Sequence, residues 1–126
     1  MNFPDNLKYT KDHEWIRIEG DTGVVGITEY AQGELGDIVF VELPAVGKSL
    51  KAHDSFGTIE AVKAVSDLFA PLSGSITAVN PELGKTPEVI NKDPYDKGWM
   101  VTLKIANPSE VAGLLSSSAY KQLIGK

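Results

Sequence analysis

The stretch GTIEAVKAVSDLFAPLSGSI, residues 57–76, decides how this chain is read. Two short apolar runs, 57–61 and 66–70, have strand character and flank Val62-Lys63-Ala64-Val65. Strands this close in sequence pair antiparallel, which puts Lys63 on the tip of a tight hairpin with its side chain in water. Taken alone, that is an ordinary lysine, because most lysines are exposed and charged hairpin tips are common. Its neighbours add something. Val62 and Ala64 are small or apolar, and an enzyme that reads a presented lysine by shape is better served by a rigid protruding turn than by a flexible charged loop. Glu60 and Asp67 stand near the base of the hairpin as polar registers for such an enzyme.

Working outward, the N-terminal side shows runs 15–19 and 23–27 joined by Gly20-Asp21-Thr22, a hairpin signal, and a third run at 37–43. Between them, in TEYAQGELG, Thr28 caps one or two helical turns holding Tyr30, Ala31 and Leu35, and Gly36 stops them. From Pro44 onward Gly47, His53-Asp54, Gly57, Pro71, Gly74 and Pro81 bracket strands of only a few residues. In 74–79, Ile76 and Ala78 alternate with Ser75 and Thr77; Trp99, Val101, Leu103 and Ile105 alternate with Met100, Thr102 and Lys104. Near the C-terminus, Asn107 as cap, Pro108 at the first helical position and Glu110 three residues after the cap form a capping-box pattern ahead of Val111, Leu114 and Leu115. The serines at 116–118 break that helix, and a second short turn at 119–124 ends at Gly125. The fold class expected from this spacing is mainly β, a sandwich or barrel of short strands, with a short internal helix and a C-terminal helical segment over 108–124. One domain is expected over 1–126, since a chain of 126 residues has room for a single core.

Several classes of function drop out. The net charge of −5, with acidic and basic residues interspersed, leaves no patch that would neutralise phosphates, so nucleic acid is not expected as a partner. The longest apolar stretches fall far short of the roughly 18 residues of a membrane span. The opening MNFPDNLKYTKDHEW has neither a secretory core nor the make-up of a transit peptide, which implies a cytoplasmic protein of a prokaryote, or a mitochondrial matrix protein if the chain is processed. With no long apolar stripe, a monomer is expected.

Enzymatic motifs also fail. Gly84-Lys85-Thr86 would end a phosphate-binding loop only if residue 79 were glycine, and it is Val79. Glycines 20, 23 and 26 lack dinucleotide-binding spacing. No serine lies in a nucleophile elbow. His13 and His53 are the only histidines and show no ligand pattern, so no metal site is expected. The chain has no cysteine, so any sulfur chemistry must come from an attached group. No catalytic residue is nominated.

The hairpin region, with Pro44-x-x-Gly47, residues 57–67 and Ala70-Pro71-Leu72-Ser73-Gly74, resembles the biotinyl and lipoyl carrier domains, which implies a flattened barrel-sandwich hybrid of two short-stranded antiparallel sheets with a modified lysine on a hairpin tip. LKYTKDHEW, VGITEYAQGELGDIVFVELP, VNPELGKTPEVIN and PYDKGWM extend the likeness over nearly the whole chain, which resembles the H-protein family of the glycine cleavage system. Biotin carriers usually flank the lysine with methionines, whereas here Val62 and Ala64 flank it, so lipoate is implied.

The resemblance implies a non-catalytic carrier whose lipoyl arm on Lys63 takes an aminomethyl group from the glycine decarboxylase (P protein). It passes that group to the aminomethyltransferase (T protein) and is reoxidised by the dihydrolipoamide dehydrogenase (L protein). A lipoate ligase or a lipoyl or octanoyl transferase attaches the arm. In the family, an acidic residue of the HEW segment and the aspartate after the lysine turn are associated with parking the loaded arm, and here these are Glu14 and Asp67. Two positions depart from the usual pattern. Ala61 stands where many members have serine, and Glu34 where relatives often have histidine near the same cleft, leaving its part in arm docking open. An H-like protein that serves as a lipoyl donor or relay in protein lipoylation is the alternative, because it needs the same lysine and the same turn.

Overall fold

Glycine-punctuated, β-branched runs become nine strands in the computed structural model, which describes residues 1–126. In chain order they are β1 (Lys8–Tyr9), β2 (Glu14–Glu19), β3 (Thr22–Ile27), β4 (Ile38–Glu42), β5 (Ser49–Leu50), β6 (Ser55–Ala61), β7 (Val65–Phe69), β8 (Gly74–Val79) and β9 (Val101–Ile105). One sheet has six strands in the order β1-β2-β3-β9-β8-β5, the other three in the order β4-β6-β7, and every neighbouring pair is antiparallel. Neither sheet closes on itself. The mainly β, two-sheet class expected from the sequence is the class found.

Alternation along the strands sorts side chains between two cores. In β2, Ile16 joins the main cluster with Val25, Val41, Ile59, Leu68, Leu103 and others, while its neighbour Trp15 faces a second cluster with Phe3, Leu7, Tyr9 and Tyr120. The six-stranded sheet is therefore covered on one face by the three-stranded sheet, and on the other by the N-terminal segment and the last helix. Trp15 fixes this arrangement: its ring lies where a Cβ on Gly26 would come within 2.7 Å of it, and its indole N–H donates to the Pro94 carbonyl at 3.0 Å.

Helix α1 (Glu29–Leu35) forms as expected, with Thr28 Oγ1 accepting from the Ala31 N–H and Gly36 ending it. A single turn, α2 (Val89–Lys92), and a 3₁₀ turn at Pro81–Gly84 lie in the 79–100 connection. Asn91 of α2 ties α1 to β4: its amide NH₂ donates to the Gly36 carbonyl and to Gln32 Oε1, and its oxygen accepts from the Ile38 N–H.

The C-terminal expectation needs correcting. Pro108–Gly113 is a 3₁₀ helix, and Glu110 does not reach back to its cap. Its carboxylate accepts instead from the N–H and the hydroxyl of Ser73, both at 2.9 Å, which fastens this segment to the sheet. The break expected at the serines is present, and the second helical turn follows it, beginning at Ser117 rather than at 119. Ser116 caps α3 (Ser117–Ile124) by accepting from the Ala119 N–H, and Ser117 Oγ donates to Asp5. Gly125 ends α3 in the left-handed conformation, as expected.

Candidate functional site

The hairpin of β6 and β7 turns through Val62, Lys63 and Ala64. The turn is closed by the Ala61 N–H donating to the Ala64 carbonyl at 2.9 Å. It is also clamped from outside: the Val62 N–H donates to the Asp37 carbonyl at 3.0 Å and the Lys63 N–H to the Leu35 carbonyl at 3.2 Å. The tip is thus bolted to the C-terminal end of α1. Lys63, Val62 and Ala64 are all exposed, as is Val65 just beyond the turn. The chain's one ion pair, Arg17 with Glu19, lies elsewhere.

Between α1 and the free edge of β7 lies a cleft of about 190 Å³. Leu35, whose carbonyl holds Lys63, is part of its wall, together with Tyr30, Ala31 and Glu34 from α1 and Ser66, Asp67 and Leu68 from β7. Asp12, His13 and Glu14 close the far side, and Ile27 and Ile59 form an apolar floor. No lysine or arginine lines it. A cleft with an apolar floor, acidic walls and no cation suits a ligand that is mostly apolar and ends in a positive charge.

Glu14 opens β2 opposite Ile27, on the inward face, and is only 2% exposed. Its carboxyl accepts from the Thr10 hydroxyl at 2.7 Å and the Phe69 N–H at 3.4 Å. Burial pushes its pKa up to about 8, against the smaller opposing pull of those hydrogen bonds. The sequence leaves Glu14 as a residue that would otherwise be solvated surface charge. The structure makes it a buried carboxyl, and burial favours its protonated form around neutral pH.

Beside it, His13 has φ 72°, a left-handed conformation uncommon outside glycine. Its Nδ1 lies 2.9 Å from the Tyr120 hydroxyl, which is 2.8 Å from Thr28 Oγ1. Burial lowers the His13 pKa, favouring the neutral ring. This chain of three side chains ties the cleft wall to α3 and to the cap of α1.

The register of β7 separates its two polar cleft residues. Ser66 pairs with Ile59 and so shares its inward face, while Asp67 pairs with Thr58 and meets the cleft at its rim, on the edge strand. Of the residues picked from the sequence, Glu14 and Asp67 border one cleft, and Lys63 is tied through its N–H to Leu35 in that cleft's wall. Glu60, Val62 and Ala64 are not among its lining residues, and Glu34, left open by the sequence, is. His13, Asp12, Tyr30 and Ser66 were not picked. Of these, His13 alone carried a signal, as one of only two histidines and the immediate neighbour of Glu14.

A family profile described as "Glycine cleavage H-protein" matches residues 7–126. The chain belongs to the glycine cleavage H-protein family. A glycine cleavage system H protein of Chlorobium chlorochromatii is 59% identical, with all of both chains covered. One of Staphylococcus carnosus is 53% identical, again over the whole of both. Among solved structures, the glycine cleavage system H protein of Mycobacterium marinum superimposes with a TM-score of 0.91 at 42% identity, covering 98% of this chain and 100% of that one. H-protein family membership thus extends over the tip, the cleft and the C-terminal segment alike.

Proposed function

We propose that the 126 residues act as one carrier unit, the lipoyl-bearing shuttle of the glycine cleavage system, with lipoate in amide linkage to Lys63 Nζ. The observation that carries this reading is an exposed lysine on a clamped tip, tied through its N–H to the wall of an acidic, cation-free cleft, in a chain that matches the H-protein family nearly end to end. The dithiolane supplies the sulfur that a chain without cysteine lacks.

The residues present fit such a group. The tip holds the acceptor lysine clear of the sheet, and Ile27, Ile59, Leu35 and Leu68 offer the arm an apolar bed. Amide formation removes the lysine's charge, so the arm is neutral until it is loaded. Loaded with an aminomethyl group from the P protein, it ends in a cationic amine. A cationic amine seated beside Glu14 would favour the ionised carboxylate, the proton passing to solvent, and the two would form a charge-assisted hydrogen bond. Asp67 at the rim and Glu34 on α1 add acidic groups around the same amine. The chain is a common substrate of the P, T and L proteins, not a catalyst, and tethering raises the arm's effective concentration at each docked partner. A lipoate ligase or a lipoyl or octanoyl transferase installs the arm, and the protein works in the cytoplasm of a bacterium.

Intact mass and peptide mapping test the attachment: one lipoyl increment on Lys63 is expected, and a biotin increment would refute it. The lipoylated chain mixed with P protein and glycine should support release of carbon dioxide. Failure to do so excludes the shuttle.

A further inference from the structure

Gly36 ends α1 at φ 82° and ψ −158°, a region of backbone space open almost only to glycine. Ending the helix accounts for the glycine's backbone, but its surroundings point further. A Cβ placed on Gly36 would have as its three nearest neighbours Cγ of Lys63 at 3.3 Å, Cδ at 3.4 Å and Cε at 3.5 Å. Three successive methylenes at nearly one distance mean that the lysine stem drapes across the bare backbone here. At the other positive-φ glycines, Gly20, Gly47 and Gly125, a Cβ would meet nothing within 4 Å. Gly36 alone among them looks onto a side chain, and that side chain is the acceptor.

We propose that Gly36 is a positioning residue for the arm: its missing side chain is the seat of the Lys63 stem, and it aims whatever is joined to Nζ along α1 toward the cleft. The inference rests on the reading of Lys63 as the lipoyl-bearing residue and of the cleft as its resting place. Leu35, immediately before the seat, both accepts the Lys63 N–H and lines the cleft, so stem and cleft share one wall. A free lysine stem explores many staggered rotamers. Seating it removes most of them at the root, so the far end of the arm spends more of its time at the cleft. A methyl group at 36 would crowd Cγ and Cδ and turn the stem aside, and a long arm magnifies a small turn at its root.

Two measurements test this on the full chain. In the unmodified protein, NMR should show nuclear Overhauser contacts between the Gly36 α protons and the Lys63 side-chain methylenes; their absence overturns the seat. The second uses the lipoylated chain with its dithiol reduced and loaded chemically. There one S–H, formaldehyde and ammonia condense to S–CH₂–NH₂ with loss of water, and hydrolysis reverses this and releases formaldehyde.

The wild-type adduct is expected to release formaldehyde about ten-fold more slowly than the same adduct on free dihydrolipoamide. Gly36→Ala should lose most of that protection. Gly20→Ala, which places a side chain at φ 64° in open space, should keep it. Circular dichroism and urea midpoints establish that both variants fold. A Gly36→Ala adduct as well protected as wild type overturns the seat alone. An unprotected wild-type adduct overturns the cleft reading and this inference with it.

Discussion

Replacing Glu14 by glutamine should make the protein more stable at neutral pH while spoiling its cleft. The side chain is 2% exposed, and no lysine or arginine lines the cleft beside it. Burial raises its pKa from the ordinary 4.5 to about 8. The sign follows from proton counting. Below pH 4.5 folded and unfolded chains both hold the proton, and burial of the neutral acid carries no charge penalty. As pH rises, the unfolded chain ionises first, so the folded state loses about 1.4 kcal/mol per pH unit until its own Glu14 ionises near pH 8. About 3 kcal/mol has gone by pH 7.

Glutamine keeps an acceptor for the Thr10 hydroxyl but turns an NH₂ toward the Phe69 N–H, at a pH-independent cost of about 1 kcal/mol. Glu14→Gln should therefore be about 1 kcal/mol less stable than wild type at pH 4 and about 2 kcal/mol more stable at pH 7. Urea unfolding followed by tryptophan fluorescence at pH 4, 5, 6, 7 and 8.5 reads the difference, and other titrating groups cancel between the two chains. A difference flat with pH, or one that moves in favour of wild type as pH rises, would refute the reasoning.

Other substitutions probe the supports of the site. Tyr120→Phe keeps the buried ring but removes the hydroxyl that links His13 Nδ1 to Thr28; a loss of about 1–2 kcal/mol and a shifted His13 ring resonance are expected, and an unchanged ring resonance would show that the link is idle. Glu110→Ala removes both hydrogen bonds to Ser73, so stability should fall by roughly 1.5–3 kcal/mol, with faster amide exchange at Ser73. A loss under about 0.5 kcal/mol would mean the 3₁₀ segment is held by other contacts. Lys63→Arg should fold within about 0.5 kcal/mol of wild type, because the side chain is exposed, yet gain no acyl mass in the presence of a lipoylating enzyme. Failure of that variant to fold would make Lys63 structural.

The strands that bury one face were legible because alternation is local. β2, β3, β7, β8 and β9 all lie where apolar and small residues recur every second position, and α1 carries both its cap and its stop in nine residues. β1 and β5, two residues each, are too short to show any period. The errors at the C-terminus share one cause: a residue's local role was displaced by a distant partner. Glu110 has the spacing to bond its own cap, but Ser73 offers two donors at once. The last helix begins at Ser117 instead of 119 because Ser116 meets the Ala119 N–H and Ser117 meets Asp5, 112 positions away.

The site divides in the same way. Lys63 was visible on its hairpin, and the likeness to the H-protein family pointed to Glu14 and Asp67. The raised pKa of Glu14 was not legible, because it comes from burial in the folded chain, against the opposing hydrogen bonds from Thr10 and Phe69. Nor was the seat at Gly36, which looks in sequence like any helix stop.

Tyr120 belongs to the last helix, yet its hydroxyl braces His13 in the wall of the cleft and Thr28 at the cap of α1. Chains leave the ribosome N-terminus first, so the residues of the hairpin, and Leu35 and Asp37 whose carbonyls clamp it, are synthesised before α3. During manufacture the handle precedes the shelter. Trimming the residues beyond Leu115 would leave Lys63 in place but remove Tyr120, and with it the brace on His13 and on the cap of α1.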